Sequence, residues 1–151
     1  MPHQRICRIL ALVTLLLQSG CSAITQAESE FARAHLRWDT QRPAAYDYTM
    51  RLSCFCGDAV TRAVVIVVRG KVGESRTYAD DGSAVPAQFN DVFPTIDGVF
   101  ELIADAIDHN SARVDVTYDP VYGYPTSIAL DGSTQAADDE SWRALSNFHV
   151  R

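Results

Sequence analysis

The chain has 151 residues, with 13 basic and 19 acidic side chains and a formal net charge of −6. Apolar residues make up 47% and charged residues 21%, a globular balance that excludes a disordered, collagen-like or disulfide-dense chain. The acidic balance argues against a nucleic-acid-binding protein, which needs a basic surface to displace counterions. The length predicts one domain with room for a hydrophobic core.

The N-terminus has the pattern of a secretory signal peptide. Arg5 and Arg8 precede residues 9–17, which are apolar except for one threonine, and small residues follow. A run of nine apolar residues is too short to cross a bilayer, which takes roughly 20. We therefore predict a signal peptide over residues 1–20. Its removal takes away two arginines and leaves 11 basic against 19 acidic residues, a net charge of −8.

Cys21 indicates that this signal is of the lipoprotein type. A leucine, two further residues, glycine and then cysteine close the apolar run, which resembles the bacterial lipobox, where the cysteine is diacylated and becomes the new N-terminus. Gln18 departs from that pattern, because the position three before the cysteine is usually Leu, Val or Ile. Ordinary cleavage after Ala23 is the alternative. Acylation would give firm membrane anchoring through more than one chain.

The residues after Cys21 suggest where the protein would lie. Ser22, in place of an aspartate, resembles lipoproteins released to the outer membrane, so we expect a lipid-anchored protein of the bacterial envelope on the periplasmic or extracytoplasmic side. Residues 21–26 would form a tether and 27–151 a single domain. The expected partners are the membrane, through Cys21, and an envelope protein. Nucleic acid is not an expected partner.

Periodicity places the first elements. Apolar residues at helical spacing predict a helix over 27–38, which Pro43 stops. Strict alternation over 46–56 predicts a half-buried strand. The β-branched run within 60–68 predicts a central strand covered on both faces, and 72–78 should return beside it as an antiparallel neighbour.

The second half of the chain repeats the two periodicities. Thr95 is a suitable N-cap for a helix at about 95–109, which carries one apolar stripe. Alternation over 114–118 and a partner segment at 127–130 predict a strand pair. The segment 142–150 is predicted to be a last, edge strand.

This element order predicts an α+β fold. Short links between strands favour antiparallel pairing, because parallel strands need long crossovers. We therefore expect one antiparallel twisted sheet of five to six strands, with the N-terminal helix and the second helix packed on one face.

Cys54 and Cys56 are the two cysteines left after processing and acylation. In an oxidising compartment a local disulfide is one interpretation, and it needs a bulge or turn, which Gly57 makes easy. Two buried reduced thiols are a second interpretation. A redox or metal-binding pair is the third, although no histidine lies nearby in sequence and zinc needs more than two ligands.

A candidate binding surface lies in the second half of the chain. Tyr118, Asp119, Tyr122 and Tyr124 surround a Pro/Gly turn, and tyrosines of this kind are enriched at interfaces. The alternative is a hairpin whose tyrosines pack on the sheet.

No set of residues predicts catalysis, a cofactor or a bound metal. His35, His109 and His149 belong to different predicted elements, and no hydrolase elbow or phosphate loop is present. The acidic residues within the loop 80–94 offer oxygen ligands, but they lack the EF-hand spacing, and Asp-Gly pairs are mostly turns. A ligand or metal site in this loop is the weaker alternative.

Several motifs together resemble the bacterial domain-of-unknown-function family 6174, whose members are largely classed as lipoproteins. The similarity spans about residues 38–150, and its motifs are Cys54-Phe55-Cys56, Thr95-Ile96-Asp97 with Phe100, Tyr118-Asp119-Pro120-x-Tyr122-Gly123-Tyr124-Pro125 and Asp138-Asp139-Glu140.

The resemblance implies an envelope lipoprotein and assigns no activity. We predict a non-catalytic binding or accessory module. The alternative is a thiol/disulfide redox protein or a metal- or ligand-binding protein that uses Cys54 and Cys56.

Overall fold

The computed structural model describes residues 26–132 and 140–151. The predicted signal peptide, the lipidation site Cys21 and most of the predicted tether lie outside the described residues, as do Asp138 and Asp139. The described residues form one six-stranded antiparallel sheet with helices, which confirms the predicted α+β class.

The helices are α1 (Gln26–Gln41), the single turn α2 (Asp58–Thr61) and α3 (Ile96–Asp108). The strands are β1 (Ala45–Cys54), β2 (Val64–Arg69), β3 (Val72–Tyr78), β4 (Arg113–Tyr118), β5 (Pro125–Asp131) and β6 (Ser141–Val150). Their order across the sheet is β3-β2-β1-β6-β5-β4, and each neighbouring pair is antiparallel.

Local chemistry accounts for the end of α1 and for both ends of α3. α1 is helical from Gln26, the first described residue, and ends two residues before Pro43, which disfavours helical geometry in the residue before it. α3 is capped by the Thr95 hydroxyl, which accepts a hydrogen bond from the Gly98 N–H at 3.3 Å. Asn110 ends α3 with a φ of 51°, in the left-handed region that asparagine tolerates.

The core lies between one face of the sheet and the two long helices. Register places Tyr48 opposite Ile66 and Met50 opposite Val64, so these side chains share a face. Trp38 of α1 meets the Tyr46 ring edge-on at 5.3 Å on this face. The largest fully buried side chains are those of Trp38, Tyr46, Tyr48, Phe93, Phe100, Met50, Ile66, Ile96, Ile103, Ile128, Val64 and Val68.

The last strand is central, so the prediction of an edge strand over 142–150 was wrong. β6 pairs with β1 on one side and with β5 on the other. The edges are β3 and β4 instead. β3 contains Gly73-Glu74-Ser75-Arg76, and such polar residues suit an edge. Local pattern could not reveal the position of β6, because strand order depends on contacts far apart in sequence.

The region around β2 also differs from expectation. The strand covers Val64–Arg69, and residues 58–61 form the short helix α2. Val64, Ile66 and Val68 are buried while the alternate valines are only half-buried, so the run is not covered on both faces. β-branched residues therefore reflected strand propensity here more than double-sided burial. The preceding strand ends at Cys54, two residues before the predicted end.

Gly123 allows the β4–β5 connection to lie directly on α1. Its φ is +84°, and a Cβ built on it would lie 2.5 Å from the Ala34 carbonyl oxygen and 3.1 Å from the Trp38 nitrogen. The close approach seats Tyr124 against Trp38, with their ring centroids 6.4 Å apart. Gly82 has a similar φ of +71°, but its Cβ would meet nothing within 4 Å.

We expect Gly123→Ala to destabilise the protein by at least about 2 kcal/mol, since it combines backbone strain with a clash against α1. The matched control Gly82→Ala should cost only about 1 kcal/mol, because it meets the backbone strain alone. Urea denaturation curves for the two variants measure the difference. Equal losses would mean that the contact between Gly123 and α1 contributes nothing.

Candidate functional site

A cleft of about 1060 Å³ borders the half of the sheet formed by β4, β5 and β6, and its lining includes residues from both faces of these strands. The first turn of α1 and the C-terminal half of α3 form one wall, and Cys54 and Phe55 lie at its end. Ligand cavities in proteins are typically about 300–1,000 Å³, so this cleft is large enough for a small molecule.

The inner part of the cleft is apolar. α3 contributes Ile103 and Ile107, and the facing strands contribute Val114, Val116 and Leu130. Val114 stands opposite Leu130 in the β4–β5 register, so the two side chains share the helical face. Such a lining favours a ligand with an apolar body.

The rim of the cleft is polar and mainly acidic. Carboxylates on four separate segments line it: Glu30, Asp115, Asp131 and Glu140. Asp115 and Asp131 alternate with Val114 and Leu130 along their strands, so they lie on the sheet face opposite the helices. Arg113 is the one arginine among the described lining residues, and its guanidinium donates to Asp115 at 2.6 Å. The rim therefore disfavours a ligand that carries several negative charges.

Arg143 lies on the core face of the sheet and is not among the residues that line the cleft. It lies in β6 opposite Leu52 of β1 and Ile128 of β5, both buried, so its side chain extends from the core face of the sheet. Its guanidinium donates to the Ser141 hydroxyl at 3.1 Å, and Ser141 lines the cleft. Its Nε atom is buried without a hydrogen-bond partner. Burial lowers the pKa of Arg143, although a guanidinium remains charged at any physiological pH.

Cys54 and Cys56 come together at the end of β1. Their Cα atoms are 5.3 Å apart, and their sulfur atoms are in contact. Cys54 is half-buried and lines the cleft, whereas Cys56 is exposed. Phe55 between them is 86% exposed, which leaves an apolar ring in solvent at the mouth of the cleft.

The four residues of the predicted binding surface make ring contacts or hydrogen bonds with other residues of the fold. Tyr118 stacks on Phe100 with 6.3 Å between ring centroids, and burial raises the pKa of Tyr118 to about 12. Tyr124 is 9% exposed. The Asp119 carboxylate accepts from the Val121 and Tyr122 N–H groups at 2.9 and 2.6 Å.

Of this group, only Tyr118 lines the cleft. Tyr122 packs beside Phe148, with ring centroids 5.1 Å apart. These contacts favour the alternative, in which the tyrosines pack on the sheet and the turn holds them there.

The carboxylates of the acidic turn within residues 80–94 accept hydrogen bonds from other groups of the protein. Arg62 donates to both Asp80 and Asp81, and Asp81 also accepts from the Ser83 N–H and hydroxyl at 2.8 and 2.6 Å. The Ser83 hydroxyl and N–H, followed by the guanidinium, lower the pKa of Asp81 to about 2. These carboxylates therefore serve as acceptors in a turn.

The three described histidines lie on separate elements. His35 stacks on Phe100 at 4.6 Å, His149 lies on β6, and His109 caps α3. The backbone and carboxylate of Asp105 raise the pKa of His109. Within residues 26–132 and 140–151, no three His, Cys, Asp or Glu side chains are grouped to hold a metal ion. No helix in this part of the chain has the length and apolar character to cross a membrane.

Sequence reasoning missed the cleft and Arg143. Ile103, Val114 and Leu130 were expected only as members of apolar faces, because periodicity does not show where two such faces stand apart. The one available signal is that the charged Arg143 lies two positions before Leu145, and therefore on the same face of an alternating strand. In a predicted edge strand that signal is ambiguous, because an edge strand commonly carries charged side chains.

Comparison with known proteins gives a family and nothing more specific. The model described as "Family of unknown function (DUF6174)" matches residues 30–150, which confirms the resemblance and extends it eight residues toward the N-terminus. No curated protein and no solved structure matches the chain. The match covers all six strands and most of α1, and the chain therefore belongs to the family of unknown function DUF6174.

Proposed function

We propose that this protein is a lipid-anchored, non-catalytic binding module of the bacterial envelope, and that the cleft beside β4, β5 and β6 holds its ligand. The observation that carries the proposal is the cleft itself. It joins an apolar interior to a polar rim and has the volume of a small-molecule site. The ligand would be a small, partly apolar molecule present in the envelope.

Anchoring rests on the N-terminal sequence. Cys21 lies only five residues before Gln26 of α1 in the sequence, so acyl chains on that cysteine would hold the domain close to the membrane. Glu30 and Ala27 of the first helical turn line the cleft, which would place its mouth near the anchor. A nearby membrane suits a ligand with an apolar body.

We expect Ala27→Trp to weaken binding of the neutral dye N-phenyl-1-naphthylamine at least about tenfold, because the indole fills the cleft. The matched control is Ala32→Trp, on the exposed side of the same helix and not among the residues that line the cleft. Fluorescence titration of the mature chain, carrying Cys21→Ser and exported behind a cleavable leader, measures both dissociation constants. Dye binding that is unchanged in Ala27→Trp would exclude the cleft as the site.

We expect Cys21→Ser to abolish incorporation of labelled palmitate and to move the protein from the membrane fraction to the soluble or uncleaved pool. Cys7→Ser, within the predicted signal peptide, should leave labelling intact. Labelling and fractionation of cells that express each variant provide the measurement. Palmitate incorporation that persists in Cys21→Ser would contradict the lipoprotein assignment.

Thiol–disulfide exchange is a second candidate function, favoured by the placement of Cys54 and Cys56. An incoming thiolate would attack the exposed Cys56 sulfur of a Cys54–Cys56 disulfide. This forms a mixed disulfide and releases Cys54 as a thiolate, and a second thiol from the donor would then complete reduction of the pair. Phe55 would offer the partner an apolar contact.

This second function requires that the folded protein exchange disulfides reversibly. Under it, glutathione buffers should interconvert the pair at a midpoint above about −230 mV, the range of exchange enzymes. Thiol alkylation followed by mass measurement reports the fraction reduced, and Cys56→Ser is the control. A pair that opens only after the protein unfolds is a structural crosslink, and the redox function is then wrong.

A further inference from the structure

We propose that this protein forms a symmetric dimer in which β4 of one copy pairs antiparallel with β4 of a second copy. The two sheets then continue into one another across a two-fold axis that passes between the paired Val114 residues. The dimer does not depend on the ligand proposed for the cleft. Three observations support it: an open strand edge at β4, a covered edge at β3 and a charge pattern in β4 that complements itself.

The outer edge of β4 is open among the described residues. β4 is the last strand of the sheet and pairs with β5, and within residues 26–132 and 140–151 no strand or isolated bridge lies on its other side. The side chains along this edge are exposed at Arg113, Asp115 and Thr117 and half-buried at Val114. An edge strand presents a row of free N–H and C=O groups with which another chain can pair.

The opposite edge of the sheet, at β3, is partly covered. Residues 83–85 run beside it, and the Tyr78 N–H of β3 donates to the Ser83 carbonyl at 2.9 Å. The β2–β3 ladder also contains a register shift. Covering segments and bulges commonly protect an edge from other chains. β4 instead keeps an unbroken register with β5 over residues 113–117, so its edge is regular as well as open.

The sequence of β4 complements itself in one antiparallel register. When the two-fold axis passes between the Val114 residues, Arg113 of each copy stands opposite Asp115 of the other. Ala112, just before the strand, then stands opposite Val116. The two ion pairs lie on the exposed face and the apolar pairs on the face of the helices, because side chains alternate along a strand. Cross-strand pairs of both kinds stabilise a ladder.

Neighbouring registers lack this complementarity. An axis at Arg113 sets two guanidinium groups face to face, and an axis at Asp115 sets two carboxylates face to face, which is unfavourable. An axis at Val116 sets Arg113 opposite Asp119, whose carboxylate already accepts from two N–H groups of its own turn. Charge therefore selects the register centred on Val114.

Protection of the edge is the competing explanation, since charged side chains on an edge strand commonly keep other chains away. In a single copy the Arg113 guanidinium donates to Asp115 at 2.6 Å, and the two side chains are 59 and 66% exposed. An ion pair so exposed contributes little to stability, so it can be exchanged for two pairs between copies. Like charges would repel a second copy, whereas β4 carries one charge of each sign in positions that attract it.

The experiment is sedimentation equilibrium of the mature chain carrying Cys21→Ser, exported behind a cleavable leader, over a concentration series that reaches about 0.5 mM. A ladder of this length is small beside a standard interface of roughly 800 Å² per partner, so we expect a dimer that dissociates at micromolar concentrations. No larger species should form, because pairing at β4 uses the open edge of each copy and leaves the covered β3 edges outside. A chain that stays monomeric across the series contradicts the β4 dimer.

Two charge variants locate the contact. Arg113→Glu sets four carboxylates around the axis and Asp115→Arg sets four guanidinium groups there, so each should weaken the dimer at least about tenfold. An equimolar mixture of the two variants should associate to within about threefold of the parent, since the carboxylates of one chain then face the guanidinium groups of the other. The matched control is Arg51→Glu, at an exposed position of the central strand β1, which should dimerise as the parent does.

A double variant separates the pairing of charges from net charge and from folding. Arg113→Asp combined with Asp115→Arg exchanges the two charges and keeps the net charge, so the copies remain complementary and should dimerise as the parent does. Cooperative thermal unfolding checks that each variant is folded. Dimers that persist unchanged in both single variants, or a folded double variant that stays monomeric, would contradict pairing through β4. Should a single variant fail to fold, the parent series and the double variant decide.

Discussion

The pairing of β6 with β1 is the interaction on which the rest of this structure depends. The two ten-residue strands run antiparallel from Tyr46 opposite Val150 to Cys54 opposite Ser141. On the far side of β1 lie β2 and β3, and on the far side of β6 lie β5 and β4. The ladder therefore joins two antiparallel halves into one sheet, over which both long helices can pack.

The cleft follows from how the helices cover that sheet. Trp38 packs on Tyr46 and Phe100 stacks on Tyr118, so the middle of the helical face is filled by aromatic rings. Near the end of β1 and the start of β6, Cys54 and Ser141 have short side chains, and both line the cleft with Ile107 and Leu130. The same ladder that builds the sheet also sets Cys54, Ser141 and Arg143 at this end.

The sequence predicted the elements better than their arrangement. The helix after Thr95 and the pair formed by β4 and β5 were found because period, cap and turn chemistry are all local signals. The central position of β6 was missed, since a strand with Arg143, Ser146 and Asn147 resembles an edge until its two partners are known. The cleft was missed for the same reason, because a cavity depends on where separate elements fail to meet.

The place of β6 also constrains the order of folding. Its partner β1 ends at Cys54, and the strand that completes the ladder begins only at Ser141, near the C-terminus. During synthesis from the N-terminus, β1 therefore has an unpaired edge until β6, Ser141–Val150, has been made. Contacts of such long sequence separation slow folding, because the loop must close before the pairing stabilises it. Until then the β3-β2-β1 half exposes an unpaired strand edge that is open to aggregation.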